Sequence, residues 1–144
     1  MTGADVVACA RTQIGVPWVH QGRMWGQALD CAGLVICVAR DLGIVPADFD
    51  VTGYTRTPDG SMLPLLSAHL ETVPHLEIGA VLCVATERDP QHLGIVGDYV
   101  HGGYSLIHAT NAGSRRVVES RIMFVRNFKR RGVYRFPGVA DRKS

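Results

Sequence analysis

Three residues of this sequence have the types that thiol-based catalysis requires: Cys31, His92 and His108. Cys31 follows a glycine-rich stretch and opens an apolar segment with helical spacing, so we expect it at a helix N-terminus. The partial positive charge of that terminus favours thiolate over thiol. A thiolate with a histidine base beside it is a competent nucleophile near neutral pH. The pattern therefore predicts a cysteine hydrolase with Cys31 as its nucleophile.

The two histidines are predicted to meet on one face of a sheet. If residues 92–98 pair with residues 102–108 across a glycine-containing turn, His92 lies directly opposite His108, with Cβ atoms roughly 4.5–5.5 Å apart. His92 is then the base. His108 holds the His92 imidazole in the required tautomer, as the third member of a catalytic triad does.

The spacing of apolar residues predicts the elements that must position these side chains. Helical spacing indicates helices near 3–14 and 31–42, and a short helix over about 60–71. Residues 15–30 are predicted to be a loop. From residue 78 the pattern favours five strands: Ala80–Ala85, His92–Gly97, Ser105–Thr110, Arg116–Glu119 and Gly132–Phe136. Helices followed by closely spaced strands predict an α+β fold, with the helices packed on one side of a mostly antiparallel sheet.

Length and composition indicate one domain covering residues 1–144, with 47% hydrophobic and 19% charged residues. No apolar run approaches the roughly 18 residues that span a bilayer, so no membrane span is expected. The N-terminus has no basic flank followed by an apolar block, which predicts synthesis without a secretory signal.

The four cysteines are expected to be reduced rather than paired in two disulfides, because nothing in the sequence points to an oxidising compartment. Cys9, Cys37 and Cys83 lie among apolar residues and are predicted to be buried packing residues. No CxxC or HExxH spacing is present, so neither a zinc site nor another cofactor is expected.

The basic residues are concentrated near the C-terminus. Residues 115–144 hold ten basic and two acidic side chains, whereas residues 1–114 hold five basic and eleven acidic ones. This stretch is either a solvated face or a docking surface for an acidic partner. A nucleic-acid partner is disfavoured, because no aromatic stacking platform beyond Phe124 and Phe128 accompanies the charge.

Four ordered motifs give the chain a resemblance to the NlpC/p60 cell-wall cysteine peptidases. They are Gly15-Val16-Pro17-Trp18, Asp30-Cys31-Ala32-Gly33-Leu34-Val35, His92-Leu93-Gly94-Ile95-Val96 and Ile107-His108-Ala109. The resemblance implies a papain-like core in which Cys31 is the nucleophile, His92 the base and His108 the third polar residue. It also implies cleavage of peptidoglycan stem peptides, commonly between D-glutamate and diaminopimelate.

The sequence departs from that family at three positions. Members usually carry Tyr where Trp18 stands, and an indole donates one N–H but cannot accept a hydrogen bond. Ala32 replaces a usual Ser, and Ala80 replaces the Asp of a Gly-Asp pair. Trp18, His20 and Asp30 are predicted to contribute to the substrate-binding site.

A narrower resemblance is to the NlpC/p60 proteins of long-tailed phages and gene transfer agents. It is carried by Pro17-Trp18-Val19-His20-Gln21, by Tyr54-x-Arg56-x-Pro58-Asp59-Gly60, and by the late runs Val117-Val118-Glu119 and Tyr134-Arg135-Phe136-Pro137. It implies a component of the virion tail tip that opens peptidoglycan and docks on tail-hub proteins through basic residues 115–135. Two alternatives remain open: a tail-assembly protein whose chemistry has decayed, and a cytoplasmic amidase or acyltransferase of related fold.

Overall fold

This computed structural model describes residues 1–50, 67–85, 92–111, 113–122 and 129–139. Its helices are α1 (Gly3–Arg11) and α2 (Cys31–Asp41). Its strands are β1 (Arg23–Met24), β2 (Ala28–Leu29), β3 (Glu71–Val73), β4 (Val81–Ala85), β5 (His92–Asp98), β6 (Tyr104–Ala109), β7 (Val117–Arg121) and β8 (Lys129–Arg135).

Six of these strands form one sheet in the order β3-β8-β4-β5-β6-β7, and every paired strand in it is antiparallel. Strands β1 and β2 form a separate two-stranded hairpin. Helix α2 packs against β5 and β6, and α1 packs against both α2 and β5. The predicted α+β architecture, with N-terminal helices on a mostly antiparallel sheet, is confirmed.

Both faces of the sheet contribute to a hydrophobic core. Residues at alternate positions of β5 and β6, such as Leu93, Ile95 and Ile107, join the helices in the larger cluster. The intervening residues Val96 and Leu106 belong to a smaller cluster that also takes side chains from β3, β4 and β8. Because side chains alternate between the faces of a strand, the two clusters lie on opposite faces of the sheet.

The end of α2 follows from its sequence. Gly43 has a φ of +71°, a conformation that glycine adopts without steric cost. Its N–H donates to the Arg40 carbonyl at 3.1 Å, and the Ile44 N–H donates to the Ala39 carbonyl at 2.9 Å. These two bonds are the Schellman pattern, which satisfies carbonyl groups left over at a helix C-terminus. The predicted helix over 31–42 and its glycine stop are confirmed.

Other predicted elements differ in their bounds. Helix α1 ends at Arg11 rather than near residue 14. The predicted loop over 15–30 contains β1 and β2, which are only two residues long and lack a run of alternating residues. Strand β3 was missed because two of its three residues are exposed. Residues 67–69 of the predicted 60–71 helix are helical, and its first seven residues lie outside the described ranges.

The predicted basic surface is not continuous among the described residues. Strands β7 and β8 are separated in the sheet by β4, β5 and β6. Arg135 is engaged by Glu77, whose carboxylate accepts its Nε–H at 2.8 Å and an Nη2–H at 3.0 Å. Arg121 lies over the Tyr99 ring, 5.3 Å from its centroid. Arg126 and the 123–128 connection lie outside the described ranges, so the surface predicted there remains a prediction.

Within the described ranges, no helix combines the length and the apolar character that crossing a bilayer requires.

Candidate active site

His92 and His108 are in direct contact. Nε2 of His92 lies 2.6 Å from Nδ1 of His108, and the two rings meet edge to face with centroids 4.8 Å apart. The contact confirms that the two side chains meet, but the predicted register is wrong. Strands β5 and β6 pair Ile95 with Ile107 and Asp98 with Tyr104, two residues away from the predicted alignment.

The corrected register places His92 and His108 diagonally across the hairpin. Continued by one pair, it sets His108 opposite Gly94 rather than opposite His92. A shift of two residues keeps each side chain on its original face, because the side-chain period of a strand is two. A Cβ on Gly94 would collide with the Leu106 side chain, so the glycine makes room for that leucine beside the histidine pair.

Burial sets the protonation of this pair. His92 is 6% exposed and His108 is 9% exposed. Loss of solvation, and then the charge of His92, lower the pKa of His108 to about 3. His108 is therefore neutral near pH 7. With His92 protonated, its Nε2–H donates to the lone pair on Nδ1 of His108, whose own hydrogen is on Nε2. That Nε2 is buried and has no hydrogen-bond partner within the part of the chain that the structure describes.

Cys31 is the first residue of α2 and is partly exposed, as the sequence predicts. Asp30 is the N-cap: its Oδ1 accepts the Gly33 N–H at 2.6 Å, and its Oδ2 accepts the Gln21 N–H at 2.8 Å. A Cβ on Gly33 would collide with the Gly22 carbonyl oxygen. The motif Asp-Cys-Ala-Gly thus caps the helix, presents the thiol in the first turn, and allows the preceding loop to pack closely on that turn.

Backbone hydrogen bonds tie the start of α2 to the end of β6 that carries His108. The Leu29 N–H donates to the Pro17 carbonyl at 3.1 Å, and the Trp18 N–H donates to the Arg115 carbonyl at 2.9 Å. The next residue along, Arg116, accepts the Thr110 N–H at 3.1 Å. Residues 15–18 therefore run along the start of β7 and connect the segment before Cys31 to the segment after His108.

The other three cysteines have packing positions, and all four are free thiols, as expected. Burial, followed by a hydrogen bond to Asp41, raises the pKa of Cys9 to about 12. Burial also raises the pKa of Cys37. Cys83 has no exposed surface. Cys31 is the cysteine whose position combines partial exposure with a helix N-terminus.

The residues predicted to bind substrate have different surroundings. Trp18 and His20 are half-buried, with ring centroids 6.5 Å apart, and Trp18 packs against the helix-side core. Asp30 is 3% exposed, and its described contacts lie within the chain, which favours a role in positioning Cys31. Among the described residues, no group of three or more His, Cys, Asp or Glu side chains is arranged to hold a metal ion.

Sequence reasoning missed Arg23. Its Nη1–H donates to Asp30 Oδ1 at 2.9 Å, so it contacts the residue that caps the Cys31 helix. A basic residue seven positions before an acidic one, within a predicted loop, gives no signal of that contact. The loop fold that creates it depends on the β1–β2 hairpin.

The structure is similar to several solved structures. The NlpC/p60 domain of the peptidoglycan hydrolase SagA is 25% identical, with a TM-score of 0.62, and the match covers 94% of this chain and 99% of that one. NlpC1 from Trichomonas vaginalis is 20% identical with a TM-score of 0.67; the match covers 93% of this chain and 44% of that one. An N-acetylmuramoyl-L-alanine amidase from Bacteroides uniformis is 14% identical with a TM-score of 0.58, over 92% of this chain and 96% of that one.

No protein-family model matches the sequence, and no curated protein matches it significantly. The similarity lies in the three-dimensional arrangement and extends over nearly the whole chain. The chain therefore has the α+β fold of the NlpC/p60 domains.

Proposed function

We propose that this protein is a cysteine peptidase that hydrolyses amide bonds in the peptide stems of peptidoglycan. The observation that carries the proposal is the buried His92–His108 pair, joined at 2.6 Å at the end of the sheet that backbone hydrogen bonds tie to the Cys31 helix. A buried histidine pair with its ring nitrogens in contact, together with a cysteine at a helix N-terminus, has the groups that acyl transfer to a thiol requires.

In the first half of the reaction, Cys31 transfers its thiol proton to His92 and its sulfur attacks the amide carbonyl carbon. Nε2 of His92 is engaged by His108, so Nδ1 is the atom that exchanges protons with the thiol. The N–H groups of the first turn of α2 and the dipole of that helix stabilise the oxyanion that develops. His92 then gives its proton to the leaving amine, the carbon–nitrogen bond breaks, and a thioester on Cys31 remains.

In the second half, His92 removes a proton from a water molecule, whose oxygen attacks the thioester. The carbon–sulfur bond breaks, the carboxylic acid product leaves, and Cys31 recovers the proton from His92. His108 stays neutral throughout, because its lowered pKa keeps a second proton off the pair. Its task is to accept the Nε2–H of His92 and fix the orientation of that ring.

Two structural relatives support peptidoglycan as the substrate class. One is described as a peptidoglycan hydrolase, and another as an N-acetylmuramoyl-L-alanine amidase, a description that names an amide bond. Within that class we propose the bond between D-glutamate and diaminopimelate, because the motifs resemble the peptidase branch of the family. Trp18 and His20 lie in the segment that precedes Cys31 in the sequence. Both are proposed to contact the peptide stem.

Mass spectrometry of muropeptides tests this function. Purified peptidoglycan is digested with the wild-type protein and, as a matched control, with Cys31→Ala. The expected result is release of fragments ending at D-glutamate by the wild type alone. Intact peptidoglycan after digestion, with the protein folded, would favour a tail-assembly protein without chemistry. Hydrolysis of small amides without cleavage of peptidoglycan would favour the amidase or acyltransferase alternative.

We further propose that the protein acts at the tail tip of a virion. The resemblance to phage-tail and gene-transfer-agent proteins supports this location. Docking on an acidic tail-hub protein is proposed through the basic residues of 126–131, of which Arg130 is exposed. Arg115 and Arg116 precede β7, which three strands separate from β8, and the ion-paired Arg135 is excluded. Reversal of Arg126, Arg130 and Arg131 to Glu should lower incorporation into purified virions, measured by quantitative immunoblot. Normal incorporation would remove the docking proposal.

A further inference from the structure

Arg23 contacts Asp30, the residue that caps the helix beginning at Cys31. Its side chain is 14% exposed, and its guanidinium has three acceptors in the surrounding loop. Nη1–H donates to Asp30 Oδ1 at 2.9 Å and to the Gly22 carbonyl at 3.0 Å, and Nε–H donates to Asp50 Oδ1 at 2.8 Å. The guanidinium is thus held between Asp30, which caps the N-terminus of α2, and Asp50, which follows α2 in the sequence.

The position of Asp30 creates an electrostatic conflict. A carboxylate is a good N-cap, because it accepts N–H groups of the first turn and complements the helix dipole. The same negative charge immediately precedes Cys31, and a nearby carboxylate disfavours ionisation of a thiol. The side chain of Asp30 is only 4% exposed, so solvent does little to screen that charge. A cation beside Asp30 removes the conflict.

We propose that Arg23 is a positioning residue that neutralises Asp30, so that the carboxylate can cap α2 without opposing formation of the Cys31 thiolate. This inference rests on the proposed function in one respect, which is that Cys31 is the nucleophile. Arg23 acts through Asp30, whose Oδ1 accepts its Nη1–H at 2.9 Å.

The other charged groups near α2 have partners that keep them out of this role. From α1, Arg11 is held by Glu119 and Asp98 at the opposite end of the β5–β6 hairpin. At the far end of α2, Asp41 accepts a hydrogen bond from Cys9, and Arg40 donates to the Phe49 carbonyl.

Asp50 is a second carboxylate in this region and accepts the Nε–H of Arg23 at 2.8 Å, and three histidines belong to neighbouring elements. Strands β5 and β6 contribute the His92–His108 pair, and the loop before α2 contributes His20. Arg23, in contrast, contacts the cap residue Asp30 directly, at 2.9 Å.

The test is the pH dependence of Cys31 alkylation by iodoacetamide, followed by peptide mapping so that the other three thiols are counted separately. Arg23→Gln should raise the apparent pKa of Cys31 by about one unit, which is about a tenfold slower reaction below that pKa. Adding Asp30→Asn, which keeps an oxygen that can cap Gly33, should return the profile to that of the wild type. Asp30→Asn alone should lower the pKa of Cys31, because the negative charge next to the thiol is removed while Arg23 keeps its ion pair with Asp50.

The matched control is Arg135→Gln in β8. It breaks another arginine–carboxylate pair of similar exposure, in which Arg135 Nε lies 2.8 Å from Glu77 Oε1. It should leave the alkylation profile in place. An unchanged profile in Arg23→Gln, or an equal shift in Arg135→Gln, would overturn the proposal. If Arg23→Gln does not fold, Asp30→Asn is the deciding variant. An unchanged or raised pKa of Cys31 in Asp30→Asn would then overturn the proposal.

Alkylation needs no substrate, so this experiment separates the two proposals. A shifted profile in a protein that leaves peptidoglycan intact would support Arg23 as the partner of Asp30 and contradict the proposed function. Cleavage that depends on Cys31, together with an unshifted alkylation profile in Arg23→Gln, would support the proposed function and contradict the role proposed for Arg23.

Discussion

His92 and His108 are joined by a 2.6 Å contact between Nε2 and Nδ1, although the pairing of β5 with β6 sets neither residue opposite the other. The contact runs diagonally across the hairpin. It lies at the end of the sheet to which the segment before Cys31 is bonded. The two histidines differ in their surroundings, because burial lowers the pKa of His108 and keeps its ring neutral near pH 7.

The order in which the four thiols react should identify Cys31. Limiting iodoacetamide should label Cys31 first in the native protein, because thiolate is the reacting species. The raised pKa values of Cys9 and Cys37 keep those thiols protonated, and Cys83 is fully buried. Peptide mapping after short exposure measures the order, with urea-unfolded protein as the control in which all four react. Earlier labelling of Cys9, Cys37 or Cys83 would show that Cys31 is not the activated thiol.

Substitution of the two histidines should have unequal effects on turnover. His92→Ala removes the group that transfers the proton and should lower kcat by about 10² to 10⁴-fold. His108→Gln keeps a neutral side chain that can accept the His92 Nε2–H, so part of the activity should remain. Initial rates on a purified stem peptide measure both. Near-wild-type rates in both variants would contradict a catalytic role for the pair.

The burial of His108 should make the fold sensitive to acid. Its pKa falls from 6.5 to about 3 on folding, so the unfolded chain binds a proton that the folded chain does not. The free energy of unfolding should therefore decrease as the pH falls from 6.5 towards 3, by up to about 1.4 kcal/mol per pH unit from this group.

Urea titrations at several pH values measure this slope, and His108→Gln is the comparison. Glu119, whose pKa is lowered by its hydrogen bond with Arg11, also loses a stabilising contribution in acid, and that loss is common to both proteins. The His108 contribution is the difference between the two slopes. Equal slopes for wild type and His108→Gln would contradict the assigned protonation.

A second buried polar group should matter for stability rather than for chemistry. Glu119 accepts hydrogen bonds from Arg11 at 3.0 and 2.8 Å and from the fully buried Ser105 hydroxyl at 2.6 Å. Glu119→Ala leaves that hydroxyl without this acceptor and should lower the free energy of unfolding by about 2 kcal/mol. The control Glu71→Ala breaks an exposed pair with Arg135 and should cost about 0.5 kcal/mol or less. Equal losses in urea denaturation would show that burial of the cluster contributes nothing.

The sequence allowed the prediction of features that depend on local pattern. Cys31 at a helix start and the shared face of the two histidines follow from the helical and strand periods, which are local properties. The register was wrong because it depends on the turn. Residues 99–103 form that turn, with Gly102 and Gly103 at φ values of +92° and +80° and the Tyr99 N–H donating to the Gly103 carbonyl. The register error was two residues, so each side chain stays on the predicted face of its strand. The prediction that His92 and His108 meet was therefore unaffected.

Features that depend on distant contacts were beyond the sequence pattern. The extended segment over residues 15–18 pairs with the start of β7, about a hundred residues later, and nothing in its composition indicates a strand. The contact between Arg23 and Asp30 exists because the β1–β2 hairpin folds back on α2. The basic C-terminal stretch was expected to form one surface, but the strand order of the sheet separates its members.

Capture of the acyl-enzyme tests the proposed mechanism most directly. A stem peptide is mixed with the wild-type protein, the reaction is quenched in acid within the first turnover, and the protein is digested and mapped by mass spectrometry. We expect a thioester-linked acyl group on the peptide that contains Cys31, and neither an adduct nor turnover in Cys31→Ala. Turnover that persists in Cys31→Ala, or an acyl group found on a different residue, would contradict a mechanism in which Cys31 is the nucleophile.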